Sequence, residues 1–261
     1  MPAAAPLVLE AGSARLEVSP ADGGRVSSFR LDGRELIARV DDGPIWWGSY
    51  PMVPFAGRIR RGVFTFRGRR YELPLNMGPH AIHGVVFDRP WEVVSGNELR
   101  IRLDAPWPFD GTVTQRFDLE PDRARFTIEL AADEPMPASM GWHPWFRRRL
   151  DGLDGQVELS FEPGRMYERD AEGIATGRLI APTPPPWDDC FTDLAADPRL
   201  SWPGGPELTL SSSCDDWVVF NQRDDALCVE PQTAPPDAPN LDPTTVEPGE
   251  PLVATMDWRW R

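Results

Sequence analysis

The sequence predicts an all-β protein, built as a sandwich or a barrel. Three observations predict it. Thirty prolines and twenty-two glycines are spread through 261 residues. The short runs between them alternate apolar and polar residues, and turn signals recur about every 8–12 residues. Proline and glycine at that density leave little room for uninterrupted helices, and a period of two places every second side chain on one face of a strand. A length of 261 suits one large β domain. With neither an internal repeat nor a linker in evidence, a single domain over residues 1–261 is expected.

Taken in chain order, Val63-Phe64-Thr65-Phe66 turns through Gly68 into Tyr71-Glu72-Leu73, the first hairpin. Trp91-Glu92-Val93-Val94 turns through Gly96-Asn97 into Leu99 to Leu103. Val113, Gln115, Phe117 and Leu119 alternate, and after Glu120-Pro121-Asp122 the period resumes at Phe126, Ile128 and Leu130. Further strands are expected at Val157 to Phe161, Leu208 to Leu210, Trp217 to Phe220 and Leu252 to Met256. The proline-rich segments Ala181 to Trp187 and Ala234 to Pro239 are expected as ordered surface loops, where functional residues concentrate.

The formal charge of -14 excludes the basic footprint that nucleic acid or an anionic membrane requires and favours a neutral small molecule as partner. Every basic residue is arginine. The absence of lysine removes Schiff-base chemistry, pyridoxal phosphate attachment and the phosphate-binding Walker loop together. Cys190, Cys214 and Cys228 are widely spaced and form no CxxC pattern, so they read as small buried hydrophobes in a reducing compartment. Met1 to Leu7 lacks the charged and apolar regions of an export signal, and no apolar run approaches the roughly 18 residues of a membrane span. A cytoplasmic protein, monomer or homodimer, is expected.

Only three histidines occur, all in short words rich in proline, glycine or aromatics. Histidine is the side chain whose ordinary pKa lies nearest neutrality, so such placement points to proton chemistry. Five words carry the polar groups of interest. Gly57-Arg58-Ile59 places an arginine ahead of a strand. Pro79-His80-Ala81-Ile82-His83-Gly84 holds two imidazoles, in a loop rather than on one helical face. Gly141-Trp142-His143-Pro144-Trp145-Phe146 couples an imidazole to indoles that either fill a core or stack on a sugar face. Trp187-Asp188-Asp189-Cys190-Phe191 sets two carboxylates between aromatics. Cys228-Val229-Glu230-Pro231-Gln232 follows a buried-looking strand with a carboxylate and a rigid turn, a setting that desolvates Glu230 and raises its pKa.

In this order the five words resemble those of the aldose 1-epimerase (galactose mutarotase) family: an Asn-Arg-Ile-like word, a His-Gly word, a His-(Pro/Ser)-aromatic-Phe word, an Asp-x-x-Phe word and a Glu-(Thr/Pro)-Gln word. The resemblance runs from about Gly57 to Asn240, and Glu230 to Asp237 is its most specific part. It implies a large antiparallel β-sandwich, the galactose mutarotase-like supersandwich, with a monosaccharide held in an open cleft on one sheet. It implies Glu230 as general base, His143 as general acid and His83 as a second histidine near the ring oxygen. Arg58 matches the family's substrate-binding arginine and Asp188 its hydroxyl-binding aspartate, and His80 and Gln232, which have no such clear counterpart, are expected beside them, with Trp145, as further sugar contacts. Gly57 stands where galactose-type members usually have Asn, Val85 where they have a second glycine, and Trp145-Phe146-Arg147 where they often have Tyr-Phe-Asn.

The chemistry needs no metal or cofactor, and none is expected. Exchanging anomers requires removal of the C1-hydroxyl proton, donation to the ring oxygen, rotation about C1–C2 and reclosure, so two positioned proton-transfer groups suffice. Three alternatives compete. A hexose-6-phosphate or other anionic-sugar epimerase would need arginines such as Arg60, Arg61, Arg89 and Arg147 to converge on the anion. A metal enzyme would use His80, His83, His143 and Glu230 as ligands. A carbohydrate-binding module would keep Trp145 and Arg58 while the proton groups idle.

Overall fold

A computed structural model of the protein describes residues 5–39 and 43–261. The segment read for an export signal falls partly on residues 1–4, outside the described residues. Two antiparallel sheets face each other, one of eight strands and one of eleven, so the architecture is the sandwich and not the barrel.

The eight-stranded sheet follows the alternation that the sequence displays. Glu98–Leu103 points Leu99, Ile101 and Leu103 inward, and the long hairpin of Gly111–Glu120 and Arg123–Ala132 sets Phe117 opposite Phe126. Leu252–Trp260 joins that hairpin to Glu207–Ser212 and adds Ala254, Met256 and Trp258. Each fully buried side chain of this size contributes roughly 1.5–3 kcal/mol. The expected hairpins at 63–73 and 91–103 also form, as Val63–Phe66 with Arg69–Glu72 and as Glu92–Ser95 with Glu98–Leu103.

The eleven-stranded sheet is built differently at its centre. Its middle runs through Ser49–Met52, Gly141–Arg147, Ala226–Gln232, Asp216–Phe220, Asp188–Leu194 and Pro163–Arg169. One face of these strands joins the sandwich core through Trp142, Phe146, Leu227 and Val229. The other carries a second, smaller cluster with Tyr50, Met52, Trp145 and Cys228. Both faces are therefore covered, and every residue of Ala226–Gln232 is buried.

Two expectations are corrected here. Glu230 lies inside its strand rather than after it. Ala234 to Pro239 is not a surface loop: Ala234, Asp237 and Ala238 are buried, and the segment runs into a single helical turn at Ala238–Leu241. Among the described residues no helix is long and apolar enough to cross a membrane.

Candidate active site

Strand register assembles the floor of a cleft. Gly141 pairs with Gln232 and Trp145 with Cys228, which sets His143 directly opposite Glu230. The next strand pairs Val218 with Glu230, and the one beyond pairs Cys190 with Val218 and Asp188 with Phe220. Because alternate residues share a face, His143, Glu230, Val218 and Cys190 form one row across the floor, and Trp145, Cys228, Phe220 and Asp188 form the next. Ile45, Trp46, Arg58, Ile82 and His83 wall the cleft, which encloses about 770 Å³ counted out to the solvent at its mouth.

His143 Nε2 lies 3.2 Å from Glu230 Oε1, both side chains nearly inaccessible to solvent. The imidazole is clamped by aromatic rings. Tyr50 stacks on it at 4.8 Å and 18°, Trp145 tilts against it at 5.2 Å, and His83 meets it edge-on at 4.9 Å. The Tyr50 hydroxyl and Trp145 Nε1 both donate to the Ile45 carbonyl, at 3.1 and 2.8 Å, so the clamp is fixed to the cleft wall. Gln232 Nε2 donates to the other oxygen of Glu230 at 3.4 Å.

Burial dominates the electrostatics. It pushes Glu230 well above the ordinary carboxylate range, helped by the nearby Asp188 charge and opposed by Arg58 and the Gln232 amide. It lowers His143 to about 3, with Arg25 and Arg58 adding to the effect against a backbone hydrogen bond. It also lowers His83 well below its usual value, and His143 and Arg58 contribute. Burial thus disfavours the charged form of both groups across the 3.2 Å contact.

The outer end of the cleft is polar but compensated. Asp188 lies 3.6 Å from Arg58 and 3.2 Å from Arg169, and Arg169 also reaches Asp189 at 2.8 Å. His83 Nδ1 and Gln232 Oε1 are buried with no hydrogen-bond partner among the described residues, which leaves both for a ligand.

The structure thus brings Arg58, His83, His143, Trp145, Asp188, Glu230 and Gln232 into one cleft. His80 is not among its lining residues. Its Nδ1 accepts the Arg61 backbone amide at 3.1 Å, so it shapes the loop. The four-ligand metal set that needed His80 does not converge. Nor do the arginines proposed for a phosphate: Arg60 pairs with Asp170 and Glu172, Arg61 with Glu172, Arg89 with Asp104 and Arg147 with Asp151.

His83 holds φ at 63°, a left-handed conformation that is uncommon outside glycine and of the kind that clusters at functional sites. Gly57 at φ 65° accounts for one departure from the family pattern. Asparagine and glycine are the residues that enter this region most readily, and here Pro236 packs within 2.7 Å of where a Cβ would stand.

Tyr50, Tyr167 and Arg169 are site residues that no sequence word indicated. Tyr167 and Arg169 line the cleft, and Tyr50 backs the imidazole. The signal available was scarcity, since the chain has only three tyrosines and two of them stand here.

A paired carboxylate and imidazole on the open face of one sheet, with the other face buried in an antiparallel sandwich, sets the class: a β-sandwich protein whose long sheet carries a ligand cleft. Within that class the chain belongs to the aldose 1-epimerase family, whose model matches residues 7–259. Among curated relatives, bovine galactose mutarotase is 26% identical over 169 residues, covering 60% of this chain and 49% of that protein. The Escherichia coli K12 protein YphB is 29% identical over 147 residues, 53% of this chain and 50% of that one. These matches span about half the length of either relative. Among solved structures, a galactose mutarotase-like protein of Clostridium acetobutylicum superposes with a TM-score of 0.83 at 16% identity, covering 97% of this chain and 94% of that one. A galactose 1-epimerase of Lactobacillus acidophilus gives 0.80 at 17% identity, over 97% and 93%. At such identities the superpositions speak for the fold.

Proposed function

We propose that the protein is an aldose 1-epimerase, a mutarotase that interconverts the α and β anomers of a neutral monosaccharide by acid–base ring opening and reclosure. The observation that carries this reading is the buried Glu230–His143 contact of 3.2 Å on the cleft floor. The two oxygens that exchange protons in the reaction are bonded to the same anomeric carbon, so the groups serving them must be adjacent, as these are.

Glu230 takes the proton of the C1 hydroxyl while His143 gives one to the ring oxygen, and the C1–O5 bond breaks to leave an aldehyde. Rotation about C1–C2 presents the other carbonyl face to the C5 hydroxyl, and as the ring closes His143 takes back the C5-hydroxyl proton while Glu230 returns its own to the C1 oxygen. The pair starts and ends with one shared proton. Sugar hydroxyls supply the polar surroundings that let that proton sit on His143, and Arg58 favours the charge on Glu230. His83 stands edge-on to His143 and steadies charge at the ring oxygen. Arg58, Asp188 and Gln232 hold hydroxyls, and Trp145 presents an apolar face to the ring. The carboxylates that already compensate Arg58 and Arg169 favour a sugar without an anionic substituent.

Two proton-transfer groups at 10²–10⁴-fold each, taken as multiplicative, lower the barrier by roughly 5–11 kcal/mol. That suffices for a reaction that already proceeds in water. The test is anomer exchange followed by NMR for glucose, galactose, arabinose and glucose 6-phosphate. Acceleration of at least one neutral sugar, lost in Glu230→Gln and in His143→Asn, is expected. Wild-type rates in both variants would sink the mechanism, and a preference for the phosphate ester would sink the neutral substrate.

A further inference from the structure

We infer that the Glu230–His143 pair and Cys228 together form an inhibitory site for a thiophilic divalent cation of the Zn²⁺ type. Only the inhibition rests on the proposed activity; the binding stands on the geometry. His143 Nε2, a Glu230 carboxylate oxygen and Cys228 Sγ lie within 4.8 Å of one another, all three residues buried. Two of these donors are 3.2 Å apart. Zinc bonds of about 2.0–2.1 Å opened to the tetrahedral angle separate nitrogen and oxygen donors by about 3.3 Å.

The convergence is built into the sheet. Cys228 and Glu230 are alternate residues of one strand and share its face, and His143 enters from the paired strand opposite Glu230. Leu227, Val229, Trp142 and Phe146 pack the reverse side into the sandwich core, so the donors stand on rigid backbone. Gln232 holds the second carboxylate oxygen, as outer partners of metal ligands do.

Charge favours occupancy as well. A doubly charged cation with one thiolate, one carboxylate and one neutral imidazole is electrically neutral, which removes the main cost of burying an ion. The thiol proton, and the proton shared by the pair, leave to solvent. His143 and Glu230 line the cleft, so the fourth position of the ion opens toward it, for water. The thiol selects against Mg²⁺ and Ca²⁺, which prefer oxygen ligands. An ion held here engages the imidazole nitrogen and the carboxylate that the ring-opening step requires, and anomer exchange stops.

The test uses the full chain, stripped with chelator and desalted. Titration with Co²⁺ is expected to give tetrahedral d–d bands and a thiolate charge-transfer band saturating at one equivalent. The charge-transfer band is expected to vanish in Cys228→Ala and in Cys228→Ser and to persist in Cys190→Ala. Zn²⁺ should inhibit anomer exchange in competition with sugar, reversibly with chelator, while equimolar Mg²⁺ leaves the rate unchanged. Both Cys228 variants should exchange anomers normally and require a Zn²⁺ concentration raised by more than the roughly 10–100-fold that loss of an outer partner costs. The inference is overturned by the absence of the charge-transfer band in the wild type, by its persistence without Cys228, by stimulation with Zn²⁺, or by equal inhibition with Mg²⁺. If no sugar is turned over, the proposed activity fails and the cobalt spectrum still decides the site.

Discussion

The two sheets of the sandwich bury residues in opposite styles. In the eight-stranded sheet, Glu98–Leu103 alternates buried Leu99, Ile101 and Leu103 with exposed Arg100 and Arg102. In the eleven-stranded sheet, Ala226–Gln232 is buried without interruption. The first pattern serves one core. The second serves two environments at once, with Leu227 and Val229 in the sandwich and Cys228, Glu230 and Gln232 toward the cleft. Stability is concentrated where strands have one dry face. Chemistry is concentrated where a strand is dry on both, because burial moves Glu230 and His143 away from their ordinary pKa values in opposite directions.

Removing either half of the pair is the sharpest test of that division. Glu230→Gln and His143→Asn are each expected to lower the anomerisation rate by about 10²–10⁴-fold, or roughly 3–5 kcal/mol of barrier, with an unchanged circular dichroism spectrum. Loss of fold in both would erase the distinction between the sheets. The converse change, Phe126→Ala in the opposite sheet, opens a cavity beside Phe117 and Trp258. It should cost about 3–5 kcal/mol in denaturant unfolding while the folded fraction keeps its turnover.

The pH dependence of the rate separates the same two environments. With His143 lowered to about 3, its protonation does not limit the rate at the ordinary histidine pKa of 6.5. The rate should therefore hold through pH 6.5 and fall on the alkaline side, as the pair loses its shared proton. An acid limb near 6.5 would show that His143 is not desolvated as the structure implies.

Stability carries the opposite signature at this site. A carboxyl raised above its ordinary value of 4.5 by folding stabilises the protein below that value and ceases to do so as pH rises through the folded pKa. Glu230→Gln should thus match the wild type in stability below about pH 4 and gain on the order of 1 kcal/mol in alkaline solution, read as a pH-dependent difference in urea midpoint. A smaller effect belongs to the outer surface. The Arg102–Asp133 ion pair is half exposed at both ends, so Arg102→Gln should shift stability by less than about 0.5 kcal/mol and leave the rate alone.

How much was legible follows from burial style. The hairpins at 63–73, 91–103 and 111–132 show in the sequence because solvent holds one face polar. Gly141–Arg147 and Asp188–Leu194 do not read as strands, and Ala226–Gln232 reads as one only up to Glu230, because no solvent face imposes alternation and polar groups stand among aromatics. The same strands yielded the candidate residues, since His143, Asp188 and Glu230 are conspicuous in apolar words. Tyr50 and Arg169 gave no such cue: a tyrosine in Ser49-Tyr50-Pro51 and an arginine near a strand end look ordinary until neighbours arrive from far along the chain.

By itself the sequence determined the all-β class, the alternating hairpins, the exclusion of lysine chemistry and a short set of candidate groups, because composition and local period are properties of adjacent residues. Only the tertiary structure decided that His143 faces Glu230 while His80 turns under the Arg61 amide, that the candidate phosphate arginines are spent on carboxylates, and that Cys228 Sγ lies within 4.8 Å of the pair's donor atoms without being part of the pair. The pairing of His143 with Glu230 is a matter of register between strands 87 residues apart in the chain. Register is set by which face a whole sheet buries, which no local window contains.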